Sequence, residues 1–245
     1  MTDPDKKPLA DLSIAGSGIT PGGIYRKAVI SGSGKVQGNI SCATMDISGS
    51  GKIMGDVDTG TLQISGSGVV DGDVKADSLT INGTSRIEKD VTVAECEVNG
   101  RLTIKGSLHG ESARSYGQLS IDGDIETEEL TVEGKLSVAG LCSADRIAIK
   151  LGGGSSAIHE IGCSRLNVHR GIVTGWMVQL FGKIRGAGLT VDTIEGDELF
   201  LEDTEVQTVH GSKVVIGAGC RIDKVFYKES YWCANDSQVR AVVKE

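Results

Sequence analysis

The sequence predicts an all-β chain folded as a β-solenoid, with 17-residue coils in its main part and a second, shorter section of about 15-residue coils. Three observations predict it. From Ile30 to Ile149 one pattern returns every seventeen residues, about seven times, without insertion or deletion. Within it, aliphatic columns keep their type: Ile30, Ile47, Ile64, Ile81, Val98 and Val132 in one, Val36, Ile53, Val70, Ile87, Ile104, Ile121 and Val138 in another, with Ser115 the polar exception in the first. Glycine recurs two residues after the first column, at Gly32, Gly49, Gly66, Gly83, Gly100, Gly117 and Gly134. Self-similarity at a short fixed period marks stacked repeats.

The spacing selects strands over helices. Inward positions fall about six, four, five and two residues apart, which no single amphipathic helix accommodates. Short strands with alternate side chains turned inward do accommodate them. A helical repeat pair needs roughly thirty residues or more. One coil cannot bury its aliphatic face alone, so the core comes from stacking. The glycines fit corners, where a side chain has no room.

Composition sharpens this reading. At 39% hydrophobic and only 4% aromatic, the chain suits a narrow bore lined by Ile, Val and Leu. The net charge of −8 lacks the basic surface that nucleic-acid binding needs. There is no run of eighteen apolar residues and no apolar leader in the polar start, so neither a membrane span nor a secretory signal is expected. Six scattered cysteines without a CxxC pair read as small interior thiols of a reducing compartment.

In chain order, residues 1–23 form a loose tail and an imperfect capping coil, in which Leu12, Ile14 and Gly16 imitate the repeat sixteen residues early. The main β-helix spans 24–160. Residues 161–190 read as a junction or insertion: the register slips by two, and the apolar run Trp176, Met177, Leu180 and Phe181 is followed by Lys183 and Arg185. Packing at the junction, contact with another protein and contact with lipid are the three uses of that run. Residues 191–245 hold the second section and a C-terminal cap. There Ile194, Val209 and Val225 align, as do Leu199 with Val214, Leu201 with Ile216 and Val206 with Ile222.

The run Ile30-Ser-Gly-Ser-Gly-Lys-Val36-Gln-Gly-Asn-Ile40, repeated from Ile47 to Val57 as Ile-Ser-Gly-Ser-Gly-Lys-Ile-Met-Gly-Asp-Val, resembles the bactofilins. The later section resembles their longer, two-part relatives in Bacillus-like bacteria. The resemblance implies a right-handed parallel β-helix with a triangular bore that polymerises end to end without nucleotide. It also implies a cytoplasmic scaffold at the inner face of the membrane, serving cell shape or motility. Implied partners are further copies of the chain, a paralogous bactofilin and envelope-associated proteins, with membrane contact only indirect. Typical members carry proline-rich tails and a short hydrophobic N-terminal motif; this chain has three prolines and a charged start.

The rival reading is a β-helical transferase or hydrolase acting as a trimer. Hexapeptide acyltransferases use eighteen-residue coils of three equal hexads, which the seventeen-residue period does not match. Trimeric carbonic anhydrases need three histidines at one metal, whereas His109, His159, His169 and His210 are far apart. Asp56, Asp58, Asp71 and Asp73 could hold a cation weakly, but glycine corners followed by Asp are equally solvated turns accepting backbone N–H bonds. No catalytic residue, cofactor or metal site is expected. Polymer contacts are expected from Ile14, Ile24, Tyr25 and Val29 at one end and from Val225, Phe226, Tyr227 and Trp232 at the other.

Overall fold

A computed structural model describes residues 9–152, 154–171 and 188–245. The chain winds into a parallel β-solenoid of about 13 turns with coils of roughly 17 residues. The expected columns are vertical neighbours: Ile14, Ile30, Ile47, Ile64, Ile81, Val98, Ser115 and Val132 pair in succession. The strand Ile125–Leu151 turns corners without interruption and carries the column on to Ile149. From there it runs through Val168, Leu201, Ile216 and Cys233. The bore is thus filled by stacked aliphatic side chains, most of them with no solvent contact.

Pairing register measures each coil. The first is sixteen residues long, Ile14 against Ile30, and the next several are seventeen. Val138 pairs with Ile158, and beyond a bulge Ile149 pairs with Val168, so the register slips by three before the bulge and by two after it. Val168 then pairs with Leu201, whereas Leu201 pairs with Ile216 only fifteen residues later. The interval before Leu201 therefore holds eighteen residues beyond the coil that follows it. Arg170 is tied to the next coil. The Arg170 guanidinium is bonded to the Asp203 carboxylate, and the Arg170 amide donates to Glu202 at 2.9 Å. Asp203 sits at φ 46°, where the adjoining Gly219, at φ 77°, leaves no room for a Cβ.

Two devices hold the corners of the regular coils. At the glycine corner the backbone of one coil lies directly on the next: a Cβ on Gly32 would stand 2.2 Å from the Gly16 carbonyl, and one on Gly66 2.0 Å from that of Gly49. At another corner, side chains cap the amides of the coil above. Asn39 accepts from Asp56, Asp56 from Asp73, Asp73 from Asp90, Asp90 from Ser107, Ser107 from Asp124 and Asp124 from Leu141, at 2.7–3.1 Å. Outward ion pairs one coil apart, such as Arg165–Glu198 and Arg240–Asp223, are solvent-exposed and contribute at most about 1 kcal/mol each.

The first aliphatic column is interrupted by one polar residue. Ser115 is 1% exposed between Val98 and Val132, and its hydroxyl has no hydrogen-bond partner. An unpaired buried hydroxyl costs about 1–3 kcal/mol. Ser115→Val, which restores the column, is expected to raise the melting temperature by roughly 2–4 °C; an unchanged or lower melting temperature by circular dichroism would show that the hydroxyl is satisfied.

Candidate assembly faces

The described stack of coils has two rims, and the residues on each set its chemistry. At the N-terminal rim the strands Asp11–Ile14 and Ser17–Ile24 have, among the described residues, a neighbour on one side only. Their inward positions are Leu12, Ile14, Gly18, Thr20 and Gly23, each under an inward residue of the second coil. In later coils the column of Pro21 donates its amide toward the N-terminal side, as Met54 does to Val36 and Asp71 to Ile53. Proline cannot, so one donor is lost from the free edge. The Tyr25 ring packs against the core, and its hydroxyl donates to the Pro21 carbonyl at 3.4 Å. Around this rim Leu9, Ile19 and Ile24 point outward, with Ile19 and Ile24 both 68% exposed.

At the C-terminal rim the strand Gln238–Lys244 covers only part of the coil beneath, pairing from Arg221 to Tyr227 and leaving the stretch up to Cys233 as a free edge. Inward residues of this last turn are Tyr231, Cys233, Val239 and Val242. Val242 belongs to the column of Ile161, Ile194, Val209 and Val225. The other large aliphatics of that column are buried; Val242, with no described strand above it, is 43% exposed. Val243 and Trp232, facing outward, are also exposed. Tyr227 and Tyr231 stack at 5.6 Å, and burial pushes the Tyr231 phenol up to about 12, so it stays a protonated, apolar-bodied lid.

The residues expected at the contacts divide between these rims and the layers inside them. Ile14, Ile24 and Tyr25 lie at the N-terminal rim, while Val29 faces outward in the second coil between Ser13 and Asp46. Trp232 lies on the free C-terminal edge. Val225, Phe226 and Tyr227 are one layer in, covered by Val242, Val243 and Lys244, and Val225 is fully buried. Sequence reading missed Val239 and Val242 as the terminal inward pair. The signal was present, since each follows its column mate by seventeen residues, Ile222 to Val239 and Val225 to Val242. Trp176, Met177, Leu180 and Phe181 lie outside the described residues.

Elsewhere the chemistry is spare. The four histidines lie apart on the outer surface: His109 beside Glu126 at 3.3 Å, His159 beside Asp192 at 2.9 Å, His169 over Phe200, and His210 stacked on Phe226. Asp56 and Asp73 act as amide caps. Burial pushes the thiols of Cys96 and Cys142 up to about 12, far from a reactive thiolate. A shallow groove of about 430 Å³ crosses the first four coils, lined by serines, glycines, Lys35, Lys52 and exposed aliphatics, with no carboxylate, histidine or thiol on its walls. No helix among the described residues is long and apolar enough to cross a membrane.

A family model described as Bactofilin, polymer-forming cytoskeletal, matches residues 10–88 and again 67–143. Two Bacillus subtilis proteins are similar to the chain: YhbE, 38% identical over 106 residues, and YhbF, 33% identical over 104. Each alignment covers 42% of this chain, and 43% and 41% of the respective relative, so the matched part spans less than half of either protein. No solved structure gives a significant match.

Proposed function

Because this chain belongs to the bactofilins, a polymer-forming cytoskeletal family, we propose that it is a non-enzymatic scaffold whose rods join end to end into filaments. The observation that supports this is the state of the rims. The apolar columns run the length of the rod and stop uncovered, with Val242 solvent-exposed in a column otherwise closed. Unpaired strand edges and bare apolar residues in one place invite another molecule. The contacts are the N-terminal rim with Ile14, Ile24 and Tyr25, the neighbouring Val29, and the C-terminal rim with Trp232 and, one layer in, Val225, Phe226 and Tyr227. On this reading the filament organises envelope-associated processes such as cell shape or motility. It does so from the cytoplasmic side, with a paralogous bactofilin and envelope proteins as further partners. Residues 176–181 serve contact or junction packing rather than catalysis.

Light scattering coupled to a sizing column tests it. The wild-type protein is expected to give species far above 25.6 kDa that grow with concentration, and rods under negative stain. Val242→Lys with Val243→Glu changes exposed positions only, so melting should be unaffected while the species collapse to monomer. Discrete trimers of fixed mass would sink the scaffold reading and favour the transferase or hydrolase.

A further inference from the structure

Each regular coil has three straight sides, and charge divides unevenly among them. The chain bends at the glycine corner, at the amide-capping corner and at a third corner marked by Gly60. There the in-and-out alternation of Val57–Ile64 breaks and the pairing skips a residue. The side made by residues 33–36, by Ser50–Ile53 and by their successors lies opposite that third corner. From residue 33 to residue 137 it turns five cations outward, Lys35, Lys52, Arg86, Arg101 and Lys135, and no acid. The third corner carries the other sign. Asp58, Asp77, Glu95, Glu111, Glu128 and Asp145 lie on or beside it, one in each of six successive coils. Its cations are Lys75 and Arg146, and Arg146 is bonded to Glu129.

A second observation is which of these charges are already used. On the flat side Lys52 is paired with Asp71 and Arg86 with Glu88. Lys35, Arg101 and Lys135 have no ion pair among the described residues, and neither has any of the six acids. Unpaired charge of one sign thus runs up one side of the rod, and unpaired charge of the other sign runs up the opposite corner. The heights agree as well. Arg101 shares a coil with Glu111, Lys135 shares one with Asp145, and Lys35 lies one coil before Asp58.

We propose that a second copy of the chain occupies the flat side: rods lie side by side, pointing the same way, with the basic side of one against the acidic corner of its neighbour. This rests on the end-to-end reading, because one rod offers few such pairs and a filament repeats them along its length. Both partners share one coil spacing of roughly 4.8 Å, which keeps the two charge columns in step and which a lipid surface does not share. Two flat sides, or two acidic corners, would repel. The contact joins unlike surfaces and leaves one of each free on every rod, so it propagates sideways into a ribbon of filaments. Each exposed pair is weak, and the screening length falls from about 10 Å at 0.1 M salt to about 3 Å at 1 M. Salt therefore controls the ribbon.

Negative-stain microscopy with low-speed pelleting tests this. Wild-type filaments should form ribbons in about 0.05 M NaCl and separate into single filaments in about 1 M, with the pelleted fraction falling about tenfold. Two triple variants reverse the charges at outward positions. Lys35→Glu with Arg101→Glu and Lys135→Glu makes the chain more acidic; Glu111→Lys with Glu128→Lys and Asp145→Lys brings it nearer neutral. Each should melt as wild type and give single filaments at low salt, although their net charges move in opposite directions. Preformed filaments of the two variants, once mixed, should zip into ribbons again. Ribbons that ignore salt, ribbons of either variant alone at low salt, or a mixture that stays single would each overturn the proposal. Single wild-type filaments that instead sediment with phosphatidylglycerol vesicles at low salt would overturn it in favour of a lipid contact for the flat side. Wild-type protein that forms no filaments at any salt would remove the end-to-end reading beneath it.

Discussion

Gly83→Ala is expected to prevent the rod from folding at its middle. A Cβ at this position would stand 1.9 Å from the Gly66 carbonyl and 2.7 Å from that of Ser65. Both are backbone atoms held in a ladder, so neither can swing aside as a side-chain terminus would. Overpacking of an ordinary core costs about 1–3 kcal/mol; here relief requires separating two coils, which also breaks the amide bonds from Gly83 to Ile64 and from Thr84 to Gly66. A loss above about 3 kcal/mol follows. In guanidinium titration the variant should unfold at clearly lower denaturant or fail to purify soluble, whereas Gly16→Ala, whose Cβ would meet nothing within 4 Å, behaves as wild type. Equal midpoints for Gly83→Ala and wild type would show that the coils separate freely at this corner.

The second large effect is expected from Ile64→Ala. Ile64 has no solvent exposure and lies between Ile47 and Ile81 in the bore. Its neighbours above and below are locked by their own ladders, so the vacated space cannot close. A loss of about 2–5 kcal/mol is the ordinary range for such truncations, with the upper half expected where collapse is hindered. Because each coil touches only its neighbours, the damage also weakens the coupling between the two halves of the stack. Thermal melting should then broaden or split. A single sharp transition within about 1 °C of wild type would contradict the packing described, given that ~2–4 °C accompanies each kcal/mol in a chain this long.

Inward columns were legible because each inward residue faces its own equivalents above and below, so selection for fit repeats the residue type every coil. Ile30 to Val132 and Val36 to Val138 could be read directly, and so could Ile194 with Val209 and Leu201 with Ile216. Outward columns obey no such constraint: Ile19, Lys35, Lys52, Val69 and Arg86 share one column and nothing else. Rims are hardest to read, since a layer with one neighbour keeps only half of the pattern. That is why Val225 passed for a terminal residue when Val242 covers it. The amide-capping Asp column was visible only as glycine followed by Asp; which oxygen meets which amide depends on coil height.

Among the described residues, the tie from Arg170 to Asp203 occurs once in each rod of about 13 turns. At roughly 4.8 Å per layer a rod is about 60 Å long. Copies joined in line would then carry one such tie per rod length of about 6 nm, as graduations on a measuring stick. Anything anchored at that tie would inherit the interval, so the spacing of attached cargo would be set by counting coils.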